Sequence, residues 1–376
     1  MSAVWERLYA HTTRWALYGL SRGSLCCLLS VSTASGGEGM KHSHIIMAHG
    51  SGGRLSQQLI EELFVSGFDK HGAPRELNDG AILDLPPGRV VMSTDSFVIS
   101  PLFFPGGDIG KLAVSGTVND LVACGGQPLY LSTAFILEEG FALNSLQDIV
   151  ASMADAARQA GVKLITGDTK VVEKGSVDKV FINTAGIGVI PDGINYNPGR
   201  IRAGDRVLVS GTIGDHGLAI QTQREGLRFN TPVVSDCAPL HEIGQVLRSF
   251  GEQVHCMRDP TRGGLATVLN ELSAQAGLGI RVEEKEIPVL EAVRGACAML
   301  GMDPLYMANE GKMVIVCAPH ISRQVLAALQ SIEVSEKAAD IGEVITQPQG
   351  MVLIKTELGT ERILAALEGE HVPRIC

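Results

Sequence analysis

The side chains with the most chemical potential sit in short polar runs that interrupt apolar sequence. Asp95 lies in Ser93-Thr94-Asp95-Ser96, directly behind Arg89 to Met92, which reads as a strand. A carboxylate at a strand end is well placed to ligate a hard cation through oxygen. Asn119 and Asp120 interrupt Ile109 to Ala123, where Leu112, Val118, Leu121 and Val122 have helical spacing. Burying such neighbours unpaired costs about a few kcal/mol, so they need partners, and metal coordination would satisfy the carboxylate. Asp168 follows the strand-like Val162 to Thr166 in Gly167-Asp168-Thr169-Lys170, with a lysine two residues on. His49-Gly50-Ser51-Gly52-Gly53 precedes an expected helix from Leu55 to Phe64. A Gly/Ser loop opening a helix offers backbone N–H groups to an anion. No Lys-Ser/Thr pair follows these glycines, so this is not a Walker loop. The sequence stops on Cys376, a thiol that can be threaded into a slot, carry a small group and be withdrawn.

The elements that must position these groups follow from periodicity and punctuation. Ser145-x-x-Asp148 opens an amphipathic helix that ends at Gly161, and Val180 to Ile190 reads as a buried strand. Pro191-Asp192-Gly193 turns the chain, and a domain boundary is placed there. In the second half, Arg206 to Ser210, Gly279 to Glu283, Met313 to Ala318 and Ile341 to Ile345 read as strands. A glycine-rich turn, Gly211 to Gly217, precedes a helix. Asp259-Pro260-Thr261-Arg262-Gly263-Gly264 reads as a helix start, with Asp259 as N-cap and Pro260 at the first helical position; this helix runs to Gly277. Further helices are expected from Ser322 to Leu329 and from Glu361 to Leu367. Alternating strands and helices predict an α/β or α+β protein of two halves, without a Rossmann fingerprint.

Composition narrows the class. Apolar residues make up 45% and charged residues 19%, enough for sizeable cores. The net charge of -10, with no block of like charge, argues against nucleic acid as a partner and leaves room for an anion held by local dipoles and metal. The 8 cysteines form no C-x-x-C pair, which fits a reducing cytosol better than a disulfide scaffold. Residues 1–39 read differently: they hold both tryptophans, and the apolar run Leu25 to Val31 is too short to span a bilayer. Behind Arg14 and Arg22, and followed by Thr33-Ala34-Ser35, the run imitates a leader peptide; the favoured expectation is an upstream start codon, with the folded protein beginning at Met40, and no membrane partner is expected.

Taken in order, HGSGG, STDS, VND, GDTK, SGTIGDHG, DPTRGGL, NEGK and the final PRIC resemble the hydrogenase expression/formation protein HypE family, relatives of aminoimidazole ribonucleotide synthetase and selenophosphate synthetase. The resemblance covers Ile45 to Cys376, and Pro373-Arg374-Ile375-Cys376 singles out this family from its relatives. It implies a PurM-like fold with an ATP-binding domain at 40–191, a second domain at 192–368 and a mobile tail at 369–376, hinged around Gly369. It also implies a homodimer whose N-terminal sheets pair into a barrel. The activity implied is cytoplasmic, ATP-dependent dehydration of an S-carbamoyl group on Cys376 to S–C≡N. The carbamoyltransferase HypF would load the group, and a HypC–HypD scaffold would receive the cyanide for a [NiFe]-hydrogenase iron. Carried over residue by residue, Asp95, Asp120 and Asp168 hold Mg²⁺. His49, Gly50, Ser51, Gly52, Gly53, Lys111, Asn119 and Thr169 join them in binding ATP. Lys170 neutralises phosphate charge or polarises the carbamoyl oxygen, and Glu310 is the base. Arg374 and His371 favour the thiolate of Cys376. The rival within the superfamily is a small-molecule kinase; the glycine loop lacks the cysteine that a selenide enzyme would carry there.

Overall fold

A helix buried on nearly every side, packed against one face of a four-stranded sheet, sets the frame of the first half. The computed structural model describes residues 42–68, 79–227, 233–367 and 374–376. The expected extension at 1–39 and the expected hinge at Gly369 lie outside these. After the glycine loop come α1 (Arg54–Leu59), a π-helical turn (Ile60–Val65) and α2 (Ser66–Phe68). Then follow β1 (Arg89–Phe97), a short ribbon of β2 (Phe103–Phe104) and β3 (Gly107–Asp108), α3 (Ile109–Ala123), β4 (Gln127–Glu138), α4 (Leu143–Ala160), β5 (Lys163–Val172) and β6 (Val180–Ile190). The sheet order is β1-β6-β4-β5, with β4 and β5 parallel and the other pairs antiparallel. Asp108 caps α3, its Oδ1 accepting from the Gly110 and Lys111 amides at 2.6 and 3.2 Å. Helix α3 lies on one face of the sheet, where Thr184 of β6 donates to the Ala113 carbonyl at 3.0 Å. Helix α4 ends, as expected, on a left-handed Gly161.

The second half holds β7 (Arg206–Val209), α5 (Asp215–Arg224), α6 (His241–Arg248), β8 (Val254–Arg258), α7 (Gly264–Ala276), β9 (Gly279–Glu283), α8 (Glu291–Leu300), β10 (Val314–Cys317), α9 (Ser322–Gln330), β11 (Ala339–Ile345), β12 (Val352–Lys355) and β13 (Glu361–Ile363). Its sheet runs β13-β12-β9-β11-β7-β10-β8. All four residues of β10 are buried, as an all-apolar run between two neighbouring strands requires.

Four sequence expectations need correction. Strand β1 runs on to Phe97 and β5 to Val172, so Asp95 and Asp168 are mid-strand residues. The polar run in each finds ladder partners, Thr184 for Asp95 and Ala134 for Asp168, so the strands continue through it. Helix α7 begins at Gly264 behind a left-handed Gly263, which displaces Asp259 from the N-cap. Glu361 to Leu367 is no helix: Glu361–Ile363 adds to the sheet edge beside β12.

Candidate active site

The last described residues, Arg374 to Cys376, are seated in the fold by their backbone. The Cys376 carbonyl accepts from the Val98 amide, just past β1, at 3.0 Å. The Ile375 carbonyl accepts from Nε2 of the buried His216 at 2.8 Å, and its side chain is buried. The Arg374 carbonyl accepts from the Arg224 guanidinium. At the sulfur, Arg262 Nε donates to Sγ at 3.4 Å. The cation beside the thiol is therefore Arg262. Arg374, expected to serve there, pairs instead with Asp178 at 3.0 Å. His371 lies outside the described residues.

A group of acids surrounds this thiol electrostatically. Glu310 is 3% exposed and its Oε1 has no hydrogen-bond partner. Burial, then the charges of Asp259, Asp236, Asp95 and Asp120, raise its pKa well above the carboxylate range. Burial and the Asp120 charge raise Asp95. Burial raises Asp120 against the opposing hydrogen bond from Ser93 Oγ at 2.6 Å. Asp259 is pushed up to about 6 by burial and by Asp120. The Cys376 thiol is pushed up to about 11 by burial and by Glu310, with Arg262 pulling the other way. The arrangement holds a neutral sulfur group beside a strong buried base and an under-neutralised pair of carboxylates.

Glu310 is positioned from its backbone. Its amide donates to Asp236 Oδ1 at 3.1 Å, and the Gly311 amide donates to Oδ2 at 3.2 Å. Asp236 is held in turn by the buried Lys312 ammonium at 3.3 Å. Asn119, expected at the nucleotide, spends its amide elsewhere: Nδ2 donates to the Ala238 and Glu310 carbonyls, and Oδ1 accepts from the Leu240 amide at 2.7 Å. It ties α3 to the segment that presents Glu310.

The other sequence-derived residues assemble at a second place. His49, Gly50, Gly52, Asp168, Thr169 and Lys170 line a cavity of about 590 Å³ that runs from the glycine loop along the edge strand β5. Gly50 lies so close to β5 that a Cβ there would sit 2.7 Å from the Val171 nitrogen. His49 is buried, its Nδ1 accepting from the Ile46 amide, and burial lowers its pKa, so it is neutral. Ser51 donates to the Ala48 carbonyl, and Gly53 is the N-cap of α1. Lys170 pairs with Asp168 at 2.8 Å, which lowers the Asp168 pKa. Lys111 sits apart from both places, its ammonium donating to the Gly106 carbonyl at 2.9 Å.

The expected Asp95, Asp120 and Asp168 triad is thus not gathered within one chain. Among the described residues no group of three or more His, Cys, Asp or Glu is arranged to hold a metal. Strands β6 and β4 separate β1 from β5. Asp168 falls in the row of Ala134, Asn183 and Ser96, whereas Asp95 shares the adjacent row with Thr184 and Thr133. Adjacent rows point to opposite faces of a sheet. The residues that sequence reasoning passed over are Arg262, Asp259, Asp236, Lys312, His216 and Arg224. Four of them lie in DPTRGGL, SGTIGDHG and NEGK, so their motifs were visible and their partners were not.

Comparison with known proteins decides the family. Residues 77–190 match the AIR synthase related protein, N-terminal domain, and residues 202–355 match its C-terminal domain. The carbamoyl dehydratase HypE of Cupriavidus necator is 51% identical over 90% of this chain and 96% of its own length. The chain belongs to the carbamoyl dehydratase HypE family. Solved HypE structures share its fold. A crystal structure of hydrogenase maturation protein HypE in complex with ATP superposes with a TM-score of 0.84 at 48% identity, covering 88% of this chain and 99% of that one. A HypE–HypF complex does so with a TM-score of 0.73 at 48% identity, over 82% and 99%. The α/β, PurM-like architecture expected from sequence is the one that HypE proteins have.

Proposed function

We propose that this protein is an ATP-dependent carbamoyl dehydratase whose substrate group is carried on its own Cys376. The observation that carries the reading is the seating of Cys376 Sγ beside Arg262, in the electrostatic company of Glu310 and Asp95. A terminal thiol serving as an idle end has no need of a buried base and a guanidinium at its sulfur.

In the reaction, the oxygen of S–C(=O)–NH2 takes the γ-phosphoryl group of ATP and ADP leaves. The carbon–oxygen bond then breaks with departure of phosphate, the nitrogen gives up its two protons, and S–C≡N remains. Activation is required because an amide-like oxygen is a poor leaving group, and phosphoryl transfer needs positioning and charge neutralisation above all. His49, Gly50 and Gly52 of the glycine loop, with Thr169, line the cavity that suits the nucleotide, and Lys170 offers a cation to its phosphates. Asp95 and Asp120 fit Mg²⁺: they are oxygen donors whose charged forms are disfavoured by burial, which a divalent cation relieves. When bound there, the metal would neutralise phosphate charge. Glu310, with its raised pKa and free Oε1, takes a proton from the nitrogen. Arg262 holds the sulfur end in place.

The partners follow from the chemistry and the family. A HypF-type carbamoyltransferase loads Cys376 with the tail withdrawn, and a HypC–HypD-type scaffold takes the cyano group. We also place the protein in a homodimer, supported by the open face of the first sheet, where Val90 and Met92 are 52% and 67% exposed. Among the described residues no helix is long and apolar enough to cross a membrane.

Intact-mass analysis tests the reading. After incubation with the carbamoyl donor system, Cys376 should carry a carbamoyl adduct that loses the mass of one water when ATP is added. A tail that stays unmodified under conditions active for a control HypE would overturn the proposal.

A further inference from the structure

The seat of the tail contains a residue that the chemistry above does not use. His216 lies in the first turn of α5, is fully buried, and reaches the tail 159 positions away in sequence. Its Nε2 donates to the Ile375 carbonyl at 2.8 Å, so the proton is on Nε2 and Nδ1 must be the acceptor. Nδ1 finds its donor in Ser235 Oγ at 2.8 Å. Ser235 is fixed in turn: its hydroxyl accepts from the Cys237 amide at 3.1 Å, and its own amide donates to the Pro105 carbonyl at 2.8 Å. The ring of Phe104 meets the imidazole edge-on, with centroids 5.5 Å apart. Gly106 must be glycine here, because a Cβ would lie 2.5 Å from the Ser235 carbonyl oxygen.

The two ring hydrogen bonds of His216 thus hold one tautomer in one orientation, with its N–H aimed at the backbone of Ile375. We propose that His216, oriented by Ser235, is a latch for the loaded tail: a positioning residue that sets the depth of Cys376 for dehydration and has no part in loading. The proposal rests on the reading of Cys376 as the carrier of the carbamoyl group. A backbone carbonyl is the suitable handle, because it is unchanged whether the sulfur carries hydrogen, carbamoyl or cyanide. The side chain of Ile375 fills the adjoining apolar seat at 7% exposure, so the latch reads position and hydrophobic shape together.

The two half-reactions separate a latch from a structural role. Carbamoyl loading by a HypF-type transferase and single-turnover loss of water from the loaded tail on ATP addition are each followed by intact mass. Iodoacetamide labelling of the tail peptide reports how often the tail leaves its seat. His216→Ala should slow dehydration about tenfold, the worth of one hydrogen bond to a buried carbonyl. It should also speed labelling of Cys376 and leave loading unslowed. His216→Gln, whose amide N–H can reach the same carbonyl, should recover part of the dehydration rate. Ser235→Ala should cost about threefold through loss of the fixed tautomer. Dehydration and labelling at wild-type rates in all three variants would overturn the latch, as would loading and dehydration falling in equal proportion. Failure of the wild type itself to lose water from a loaded tail would instead overturn the assignment of Cys376.

Discussion

At the scale of single residues, the seated thiol is in an unreactive state. Its pKa of about 11 comes from burial and from the charges of Glu310 and Asp95. An exposed cysteine is half ionised at about pH 8.5, so its alkylation rate levels off by about pH 10. Labelling of Cys376 followed by peptide mass should keep rising past about pH 10; a rate that levels off by then, as for an ordinary thiol, would contradict the seat described. The acids make an opposite kind of prediction. Asp259 has a folded-state pKa of about 6 against an ordinary value of 3.8, so between these values the folded protein keeps a proton that the unfolded chain has released. Its contribution to stability is complete below the lower value and is lost as pH rises through the upper one. Asp259→Asn removes this loss. In the presence of a chelator, the stability of the variant relative to wild type should grow between pH 4 and pH 7, by no more than about 3 kcal/mol. A difference that stays flat across that range would show that the carboxyl is not strained by its neighbours. None of these neighbours could be read from sequence: Asp259 and Asp120 are brought together by the fold of chain segments far apart, as are Arg262 and Cys376.

At the scale of elements, the glycine loop and β5 act as one unit. The Cβ of an alanine at position 50 would meet the Val171 nitrogen at 2.7 Å and the Val171 Cβ at 2.8 Å. Strand backbone cannot yield cheaply, so Gly50→Ala should push the loop away from the strand. Overpacking of this kind costs about 1–3 kcal/mol. ATP affinity measured by calorimetry should fall about tenfold or more, with the melting temperature lowered by a few degrees. Unchanged affinity would place the nucleotide elsewhere. The loop's place ahead of a helix was legible from its consecutive glycines, but such turns are common, and its role at the nucleotide came from the family resemblance. The bounds of α3 and β6 were legible too, since both are long and apolar. Strands β1 and β5 were cut short in the reading because Ser-Thr-Asp-Ser and Gly-Asp-Thr-Lys have the composition of turns. Their strand conformation is imposed by partners in β6 and β4, which local sequence does not reveal. The same limit hid β13, whose Glu361–Ile363 is exposed and polar enough to pass for a helical surface.

At the scale of the whole molecule, one separation demands an explanation. Asp168 and Lys170 lie on the face of the first sheet opposite to α3, with two strands between them and Asp95. That same face presents Val90, Met92 and Ile136 at 52%, 67% and 40% exposure, with no described helix laid over it. An apolar sheet face of this kind marks an interaction surface, and the proposed homodimer, with its two-fold axis, would cover it with an identical one. Pairing of the two faces would bring the Asp168 and Lys170 of one copy toward the other copy and complete each active site from both chains. Met92→Arg should then give a monomer by ultracentrifugation and lose dehydration together with the dimer. Mixing tests the sharing of sites directly. Lys170→Ala keeps an intact tail and Cys376→Ser keeps an intact lysine, and each is inactive alone. If the lysine acts across the interface, exchange of subunits forms mixed dimers in which one site is whole, restoring about a quarter of wild-type activity. If it acts within its own chain, each mixed dimer holds only defective sites and mixing restores nothing. A dimer that shows no complementation would keep the pairing and overturn the shared site, whereas a wild-type monomer in solution would overturn both.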